Sequence, residues 1–353
     1  MRIAAFTKYD REAASTRQRI LQYVPSLERE GFAVKLHPLL GDDYVRGLAT
    51  GRKPSPLSVA HSYLDRLSRL LDQPDFDLIW IYAELFPWLP ATFEKLALRS
   101  GKPILYDMDD AFFLPYQGKP LLDGKLEPLL RAASACTCGN DYLREYASRF
   151  CGRSIVLPTV VDTSQYHPGR RSLADPLTIG WIGSPTTWPN VRPLLPMLRQ
   201  LCEQRNLRFR VVGAGQEAER DRFPGLDLLD WDEDREIADV QGMDIGIMPL
   251  LDRPFERGKS GYKLIQYMAC GLPVVASPVG VNSRIVREGV TGFLANDVEQ
   301  WRLALVKLVE GPALRRSMGG EGREIAVADY SLASQAPRLV ALMREVAGLA
   351  AKA

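Results

Sequence analysis

Short apolar runs alternate with longer stretches of helical spacing through the first half of the chain. The runs are rich in Ile, Leu, Val and aromatic residues, and most are followed by polar or turn-forming residues. This alternation predicts buried parallel strands connected by helices. The predicted strands cover residues 2–6, 33–36, 78–82, 104–106, 135–137 and 155–157.

The same alternation restarts after a polar stretch in the middle of the chain. Residues 163–176 include Pro168, Gly169 and Pro176, and this composition predicts a linker. We therefore predict an α/β protein of two doubly wound domains, residues 1–162 and 177–330, that face a cleft. Strands of the second domain are expected at 177–182, 209–212, 226–229, 244–248 and 273–276.

The same patterns predict the helices. A helix capped by Ser15 or Thr16 is expected to reach Glu30, where Gly31 ends it. Residues 37–56 are rich in glycine and proline, which predicts an irregular loop. Further helices are expected at 190–203, 298–309, 314–327 and 331–347, the last one regular only from Pro337 onward.

Residues 244–277 carry the strongest indication of function. They predict a strand, a charged loop, a helix over 260–270 and another strand. Ligands of open parallel sheets bind beyond the carboxyl ends of the strands, and a helix N-terminus at that place favours phosphate. Lys259 and Lys263 are four residues apart, so both are expected on one face of the first helical turn. We predict a diphosphate site formed by Gly258, Lys259, Ser260 and Lys263; the alternative is a solvated helix start with two surface lysines.

An acidic cluster follows the predicted strand at 104–106. Three carboxylates within four residues, Asp107, Asp109 and Asp110, repel one another unless a positive group or solvent relieves them. They could bind the hydroxyl groups of an acceptor, meaning a substrate that receives a transferred group, or a developing positive charge. Alternatively, they could hold a divalent metal, or form a solvated turn that caps the next helix. We adopt the first interpretation and assign the three aspartates a catalytic role.

Two other polar residues are assigned to the binding of the acceptor. Glu84 lies at the carboxyl end of the predicted strand 78–82. Arg17 lies in the first turn of the first helix, where it would face the cleft and hold an anionic group. An ordinary surface arginine is the alternative interpretation.

Composition narrows the functional class. The chain has 353 residues, of which 46% are hydrophobic and 25% are charged, as in a soluble enzyme of two domains. A net charge of +2 gives no strong case for nucleic-acid binding. The first predicted helix lacks the G-x-G-x-x-G fingerprint, which argues against a dinucleotide cofactor. No apolar run approaches the roughly 20 residues that span a bilayer, although peripheral membrane contact is left open.

The cysteines and the N-terminus indicate a cytoplasmic protein. The five cysteines show no metal-binding spacing, and with three histidines in the chain we expect no zinc site. Free thiols are typical of a reducing compartment. The chain starts directly with a predicted strand, so we expect no signal peptide.

Residues 267–275, Y-M-A-C-G-L-P-V-V, carry a family resemblance. They resemble the donor-site signature of glycosyltransferase family 4, whose members are retaining enzymes of the GT-B architecture. The family usually places two glutamates before this run. Here those positions hold Gly258 and Gln266, so the chain resembles a divergent branch with the form G-K-x-x-x-K-L-x-Q-Y-M-A.

The resemblance implies several residue roles in a nucleotide-sugar site. Gly183 and Ser184 would lie beside the donor diphosphate, and Gln266 would bind a ribose hydroxyl. The backbone of Val281 and Asn282 would contact the sugar or the phosphate. The resemblance also implies that the C-terminal helix, 331–353, returns to the first domain.

The expected activity is transfer of a hexose from a nucleotide-diphosphate donor to a glycan, lipid or other acceptor, with retention of configuration. We expect a role in bacterial polysaccharide or surface-glycan synthesis, in the cytoplasm or at the inner face of the membrane. The nucleotide sugar would be a co-substrate, and neither a cofactor nor a divalent metal is expected. The alternatives are a nucleotide-sugar epimerase or hydrolase, and a non-catalytic scaffold that kept the fold.

Overall fold

A computed structural model describes residues 1–49, 54–71, 76–169 and 176–348. The chain divides into two compact units. The first unit contains Met1–Thr159, Gly258–Ser260 and the residues from Gln335 onward, and the second contains Val160–Arg257 and Gly261–Ser334. Residues 170–175 of the predicted linker lie outside the described residues.

A parallel six-stranded sheet forms the centre of the first unit. Its strand order is β2-β1-β3-β4-β5-β6, so the direction of winding reverses between β1 and β3. The central strands β3 and β4 are buried along their whole length, and their residues are apolar or aromatic except for Asp107 in β4. The strands are β1 (Arg2–Tyr9), β2 (Ala33–Leu40), β3 (Leu78–Tyr82), β4 (Ile104–Met108), β5 (Ala135–Cys138) and β6 (Ser154–Val156).

The helices of the first unit correct two predictions. Instead of one helix over residues 16–30, a 3-10 turn at Leu21–Tyr23 separates two short helices. The second begins at Val24 and has Pro25 in its first turn, where proline is tolerated. Residues 37–49 are not irregular, since β2 continues to Leu40 and a helix follows, whereas residues 50–53 of the predicted loop lie outside the described residues. The helices are α1 (Ala14–Arg19), α2 (Val24–Arg29), α3 (Asp42–Ala49), α4 (Pro56–Leu71), α5 (Ala91–Glu94), α6 (Glu127–Ala132) and α7 (Asp141–Ser148).

The second unit also has a parallel six-stranded sheet, with the order β12-β11-β10-β7-β8-β9. This is the Rossmann strand order, and the winding reverses between β7 and β10. Successive side chains of β7 enter two different apolar layers, Trp181 in one and Ile182 in the other. The strands are β7 (Thr178–Ile182), β8 (Arg208–Val212), β9 (Leu226–Leu229), β10 (Ile245–Met248), β11 (Val274–Ala276) and β12 (Gly292–Leu294).

Three predicted helix starts in the second half of the chain are wrong. Prolines at 189, 193 and 196 confine the expected helix at 190–203 to α8, which follows two 3-10 turns. Gly261 has a φ of 72°, so α12 starts after it and not at Ser260. Pro337 lies inside α16 and does not start it. The helices are α8 (Leu195–Arg205), α9 (Gln216–Glu219), α10 (Glu236–Gln241), α11 (Pro254–Arg257), α12 (Tyr262–Ala269), α13 (Asn282–Ile285), α14 (Val298–Glu310), α15 (Pro312–Asp329) and α16 (Leu332–Val346).

The predicted fold class, two doubly wound α/β domains, is confirmed by these two sheets and their helices. Among the described residues, no helix combines the length and the apolar character needed to cross a membrane.

A buried histidine on β2 gives the first testable prediction. The His37 ring packs against Phe6 and Phe76, is 5% exposed, and has no hydrogen-bond partner within the described residues. Burial, helped by Arg69, Lys35 and Arg66, lowers the pKa of His37 to about 4.

Unfolded histidine has an ordinary pKa near 6.5, so the unfolded chain takes up this proton first as the pH falls. We expect the free energy of unfolding to decrease between about pH 6.5 and pH 4, by up to about 3 kcal/mol from this group. Urea unfolding of His37→Phe should lack that part of the decrease, whereas His61→Phe, at an exposed position, should retain it. Equal pH dependence in wild type and His37→Phe would contradict the prediction.

Candidate functional site

Gly183 and Lys263 meet at the carboxyl edge of the second sheet. Gly183 follows β7, and its N–H donates to the carbonyl of Val212 at 3.0 Å. A Cβ at position 183 would lie 2.5 Å from the Trp181 ring and 2.7 Å from Cε of Lys263. The position therefore needs glycine, because the Lys263 side chain passes directly over its Cα.

Lys263 lies in the first turn of α12, and its Nζ lies 5.5 Å from the centre of the Trp181 ring. This places an ammonium group where the strand order reverses between β7 and β10. Open α/β sheets bind their ligands at this kind of place, and a positive group there suits an anion. Two predicted donor residues are thus brought together by contacts within one unit.

Val281 and Asn282 lie against the start of α12. A Cβ on Gly261 would lie 3.0 Å from Cγ1 of Val281 and 3.8 Å from Oδ1 of Asn282. The Asn282 side chain is fully buried, and its Nδ2 donates to the carbonyl of Ser277 at 3.1 Å. Its Oδ1 has no hydrogen-bond partner in the part of the chain that the structure describes.

The side chains of Ser184 and Gln266 have partners within the second unit. Ser184 Oγ lies 2.9 Å from Oγ1 of Thr186, at the start of a 3-10 turn. Gln266 is 2% exposed, and its Nε2 donates to Glu236 Oε1 at 2.7 Å and to Tyr166 Oη at 3.1 Å. The predicted contact of Gln266 with a ribose would involve an amide that this arrangement already holds in place.

Glu236 accepts hydrogen bonds from three side chains, although no sequence pattern identified it as a site residue. Besides Gln266, the Tyr166 hydroxyl and the Trp231 indole N–H donate to its carboxylate, the latter at 2.5 Å. A carboxylate thus lies next to the amide at the position where the family usually has a glutamate.

Gly258, Lys259 and Ser260 belong to the first unit. The carbonyls of Gly258 and Lys259 accept hydrogen bonds from Asn140, and Lys259 Nζ lies 3.5 Å from Asp110 Oδ1. Lys259 precedes α12 and does not lie in its first turn. The expectation that Lys259 and Lys263 share one face of that turn is therefore wrong.

Asp107 is held in a buried ion pair. Both of its oxygens accept from the guanidinium of Arg19, at 2.5 and 3.0 Å, and Thr137 donates to it at 2.5 Å. Both charged side chains are 1% exposed, and Arg19 also bonds the Leu157 carbonyl. This pair ties α1, β4, β5 and the residue after β6 together at the carboxyl edge of the first sheet.

Asp109 and Asp110 differ in environment. Asp109 is 7% exposed and accepts from the Tyr82 hydroxyl at 2.5 Å, whereas Asp110 is partly exposed beside Lys259. Burial, followed by the charge of Asp110, raises the pKa of Asp109 to about 7, although Arg19 and the Tyr82 hydrogen bond act in the opposite direction. Asp109 is therefore poised to exchange a proton near neutral pH.

Glu84 lies in a buried charge network at the end of β3. Tyr116 donates to it at 2.6 Å and Lys125 at 3.0 Å, while Lys8 Nζ lies 3.6 Å away. Lys125 is fully buried and also contacts Glu94 at 3.2 Å. Glu84 is thus fixed from several sides, as an ordering element of this sheet edge.

Arg17 lies in α1, and its guanidinium donates to the carbonyls of Arg11 and Glu12. These two bonds hold the loop between β1 and α1. Within the described residues, no group of three or more His, Cys, Asp and Glu side chains is arranged to hold a metal ion.

Sequence reasoning missed four residues that organise these edges: Arg19, Lys125, Asn140 and Glu236. Arg19 lies 88 residues from Asp107, Lys125 lies 41 from Glu84, Asn140 lies 118 from Gly258, and Glu236 lies 30 from Gln266, so no local spacing reveals these contacts. The acidic residues are the only indication of such partners in the sequence, because a buried carboxylate requires a cation or a hydrogen-bond donor.

Comparison with known proteins agrees with the second unit's geometry. Residues 176–311 match the family described as Glycosyl transferases group 1. Over 90 residues the chain is 36% identical to alpha-maltose-1-phosphate synthase of Mycolicibacterium smegmatis, a match that covers 23% of each protein. The chain therefore matches about a quarter of the length of this curated relative.

The chain is also similar to solved structures over nearly its whole length. These include Anabaena HepE with UDP (14% identity, TM-score 0.71, 98% and 100% coverage) and sucrose-phosphate synthase of Thermosynechococcus elongatus (15%, 0.73, 98% of both). A glycosyltransferase of Rickettsia africae is similar at 13% identity and TM-score 0.72, covering 98% of both chains. The predicted GT-B architecture and the resemblance to glycosyltransferases are confirmed at this level, while family 4 membership and retention stay predictions.

The buried Arg19–Asp107 pair predicts a large stability effect. In Asp107→Asn, the Arg19 charge would remain buried without its counter-charge, which costs about 3–5 kcal/mol. Asp65→Asn is a matched control, since it removes the partner of Arg69 in a pair that is nearly half exposed. That loss should cost less than about 1 kcal/mol. Urea unfolding measures both, and equal costs would contradict the assignment.

The raised pKa of Asp109 predicts that its substitution by asparagine, unlike that of Asp107, stabilises the protein at high pH. The folded state binds this proton up to about pH 7 and the unfolded state up to about pH 4, so this group's contribution to stability is lost as the pH rises between them. Asp109→Asn should therefore be more stable than wild type at pH 8, by up to about 4 kcal/mol, with the difference vanishing near pH 4.

Thermal and urea unfolding at pH 4.5 and pH 8, as approximate end points of that interval, measure the difference. The exposed Asp123→Asn serves as the control, for which we expect no such pH-dependent gain. A variant Asp109→Asn that is less stable than wild type at pH 8 would refute the interpretation.

Proposed function

From the family match of residues 176–311, we propose that this chain is a glycosyltransferase that uses a nucleoside-diphosphate sugar as donor. It transfers the sugar to a glycan, a lipid-linked saccharide or another acceptor. The Rossmann strand order of the second unit and the similar structures of Anabaena HepE with UDP and UDP-glucose support this donor class.

The position of Lys263 over Gly183 is the observation that carries the proposal. As the bond between the sugar and the diphosphate breaks, negative charge grows on the leaving phosphate. A fixed ammonium group beside that phosphate stabilises the transition state more than the ground state. Glycine at position 183 leaves room for the Lys263 side chain, which keeps its ammonium group at this edge beside the backbone that the phosphate would contact.

The remaining predicted donor residues complete the proposed binding of the nucleotide sugar. Gln266, oriented by Glu236, binds a ribose hydroxyl. The backbone around Val281 and Asn282 contacts the sugar or its phosphate. Ser184 and the loop with Gly258, Lys259 and Ser260 are proposed as further phosphate contacts.

On the acceptor side, Asp109 and Asp110 are the proposed reactive carboxylates. The pKa of Asp109, about 7, suits a group that takes a proton from an acceptor hydroxyl. Asp107, Glu84 and Arg17 act there by holding the sheet edge in place. We also propose that the transferred sugar is a hexose, that its configuration is retained, and that no divalent metal is needed. The proposed role is surface-glycan synthesis at the cytoplasmic face of the membrane.

Substitution of Lys263 tests this function. Lys263→Ala should lower kcat/KM for the donor by about 100-fold, since one charged contact to the leaving group contributes about 3 kcal/mol. Lys307→Ala is the matched control, because Lys307 also lies 5.5 Å from an aromatic ring in the same unit. The measurement is nucleoside-diphosphate release with a panel of nucleotide sugars and candidate acceptors.

Equal loss in both variants, or none in Lys263→Ala, would refute the role of Lys263. Donor turnover that needs no acceptor would indicate a hydrolase or an epimerase instead. Nucleotide binding without any turnover would indicate a scaffold protein.

A further inference from the structure

The Tyr82 hydroxyl holds one oxygen of the Asp109 carboxylate. It donates to Oδ1 of Asp109 at 2.5 Å, and both residues are more than nine-tenths buried. Tyr82 is the last residue of β3, and Asp109 is the first residue after β4, the strand that pairs with β3. The hydrogen bond therefore joins the carboxyl ends of two adjacent strands within the first unit.

Packing around this pair limits how either side chain can turn. The Phe112 ring meets the Tyr82 ring edge-on, with 5.8 Å between the ring centres. The N–H of Gly139, which follows β5, donates to the carbonyl of Met108 at 2.8 Å. A Cβ on Gly139 would lie 3.1 Å from Cα and 3.3 Å from Cβ of Asp109, so the two backbones are in close contact. The carboxylate is thus fixed by its own backbone and by Tyr82.

The charged side chains near Asp109 affect its charge but bond elsewhere. Burial, followed by the charge of Asp110, disfavours the charged form of Asp109, and Asp107 adds a smaller effect in the same direction. Arg19 favours the charged form, although its guanidinium donates to both oxygens of Asp107. Lys259 Nζ lies 3.5 Å from Asp110. The direction of the Asp109 carboxylate is therefore set by the Tyr82 hydrogen bond.

This hydrogen bond also determines which oxygen of Asp109 can meet a ligand. Burial, followed by the charge of Asp109, raises the pKa of Tyr82 well above its ordinary value, so the hydroxyl keeps its proton and stays a donor. A carboxylate has two oxygens that accept hydrogen bonds. With Oδ1 held by Tyr82, Oδ2 is the oxygen that can take a proton from a ligand hydroxyl.

We propose that Tyr82 is a positioning residue that holds Oδ1 of Asp109 and presents Oδ2 to the hydroxyl of the acceptor. This inference rests on the proposed function, in which Asp109 takes a proton from that hydroxyl. During transfer, the acceptor O–H bond breaks, its oxygen forms the bond to the sugar carbon, and its proton moves to Oδ2. The bond between sugar and phosphate breaks, and its electron pair leaves with the diphosphate. Tyr82 keeps its own proton and touches no substrate.

Tyr82→Phe removes the hydroxyl and keeps the ring. The Tyr82 hydrogen bond stabilises the charged carboxylate, so its loss should raise the pKa of Asp109 above its value of about 7. We expect a rise of about one unit, the lower end of what a hydrogen bond to a charged group contributes. Tyr106→Phe is the matched control, because Tyr106 is also buried, lies on the adjacent strand, and donates to the backbone carbonyl of Ala83.

Two measurements on the full chain test the proposal. Carbon-13 NMR of the aspartate carboxyl groups follows the titration of Asp109 without any ligand, and Asp109→Asn assigns the signal. The pH profile of acceptor-dependent nucleoside-diphosphate release follows it during turnover, which should rise with pH through about 7 because the ionised carboxylate takes the proton. Both midpoints should move to higher pH by about one unit in Tyr82→Phe and stay in place in Tyr106→Phe.

A second variant keeps the test valid if Tyr82→Phe does not fold. Site-specific replacement of Tyr82 by 3-fluorotyrosine retains the hydroxyl and makes it a stronger hydrogen-bond donor. The charged form of Asp109 is then stabilised further, so both midpoints should move to lower pH. A purely structural role of the ring would move neither midpoint.

Each other outcome overturns the inference. Midpoints that stay in place in both Tyr82 variants, or that move equally in Tyr106→Phe, would show that Tyr82 does not act on Asp109. Movement of the NMR midpoint alone would show that Asp109 is not the group that takes the acceptor proton. If wild type shows no acceptor-dependent turnover, the proposed function fails, and the NMR titration distinguishes that failure from a lack of coupling between Tyr82 and Asp109.

Discussion

Parallel strand pairing is the constraint on which both units depend. Every pairing between the named strands that the structure describes is parallel, so each strand must return through a crossover on one face of the sheet. Both faces are then covered, so strands such as β3 and β10 are buried and apolar along their length. Polar chemistry is left to the residues just beyond the strand ends. Gly183, Glu84 and the aspartates after β4 all lie at such carboxyl ends.

Buried charge at these edges has to be neutralised, and the first unit does so with specific partners. Asp107 is matched by Arg19, and Glu84 and Glu94 share Lys125. An unpaired buried charge would cost several kcal/mol, so these pairs keep the edges rigid. Asp109 is the exception, because burial, followed by the charge of Asp110, raises its pKa. Groups whose environment is this unfavourable are concentrated at functional sites, which supports a reactive role for Asp109.

Sequence patterns predicted most strands because a buried parallel strand leaves an apolar run, as at β3 and β10. They failed where the backbone conformation of one residue sets the start of a helix. Nothing in the residue spacing shows that Gly261 adopts a positive φ, which makes α12 start after Ser260 and Gly261. The site was only partly predictable for a similar reason. The contact of Lys263 with Gly183 follows from the topology of the sheet, whereas Asp107 and Arg19 lie 88 residues apart and cannot be paired from the sequence. Glu236 was missed because its role depends on Gln266, which lies 30 residues further along the chain.

A crystal structure of the protein with the nucleoside diphosphate that it binds best would test the role of Lys263 most directly. We expect the diphosphate at the carboxyl edge of the second sheet, within hydrogen-bonding distance of Lys263 Nζ and against the backbone of Gly183. A nucleotide bound at another place, with no phosphate near Lys263, would contradict it.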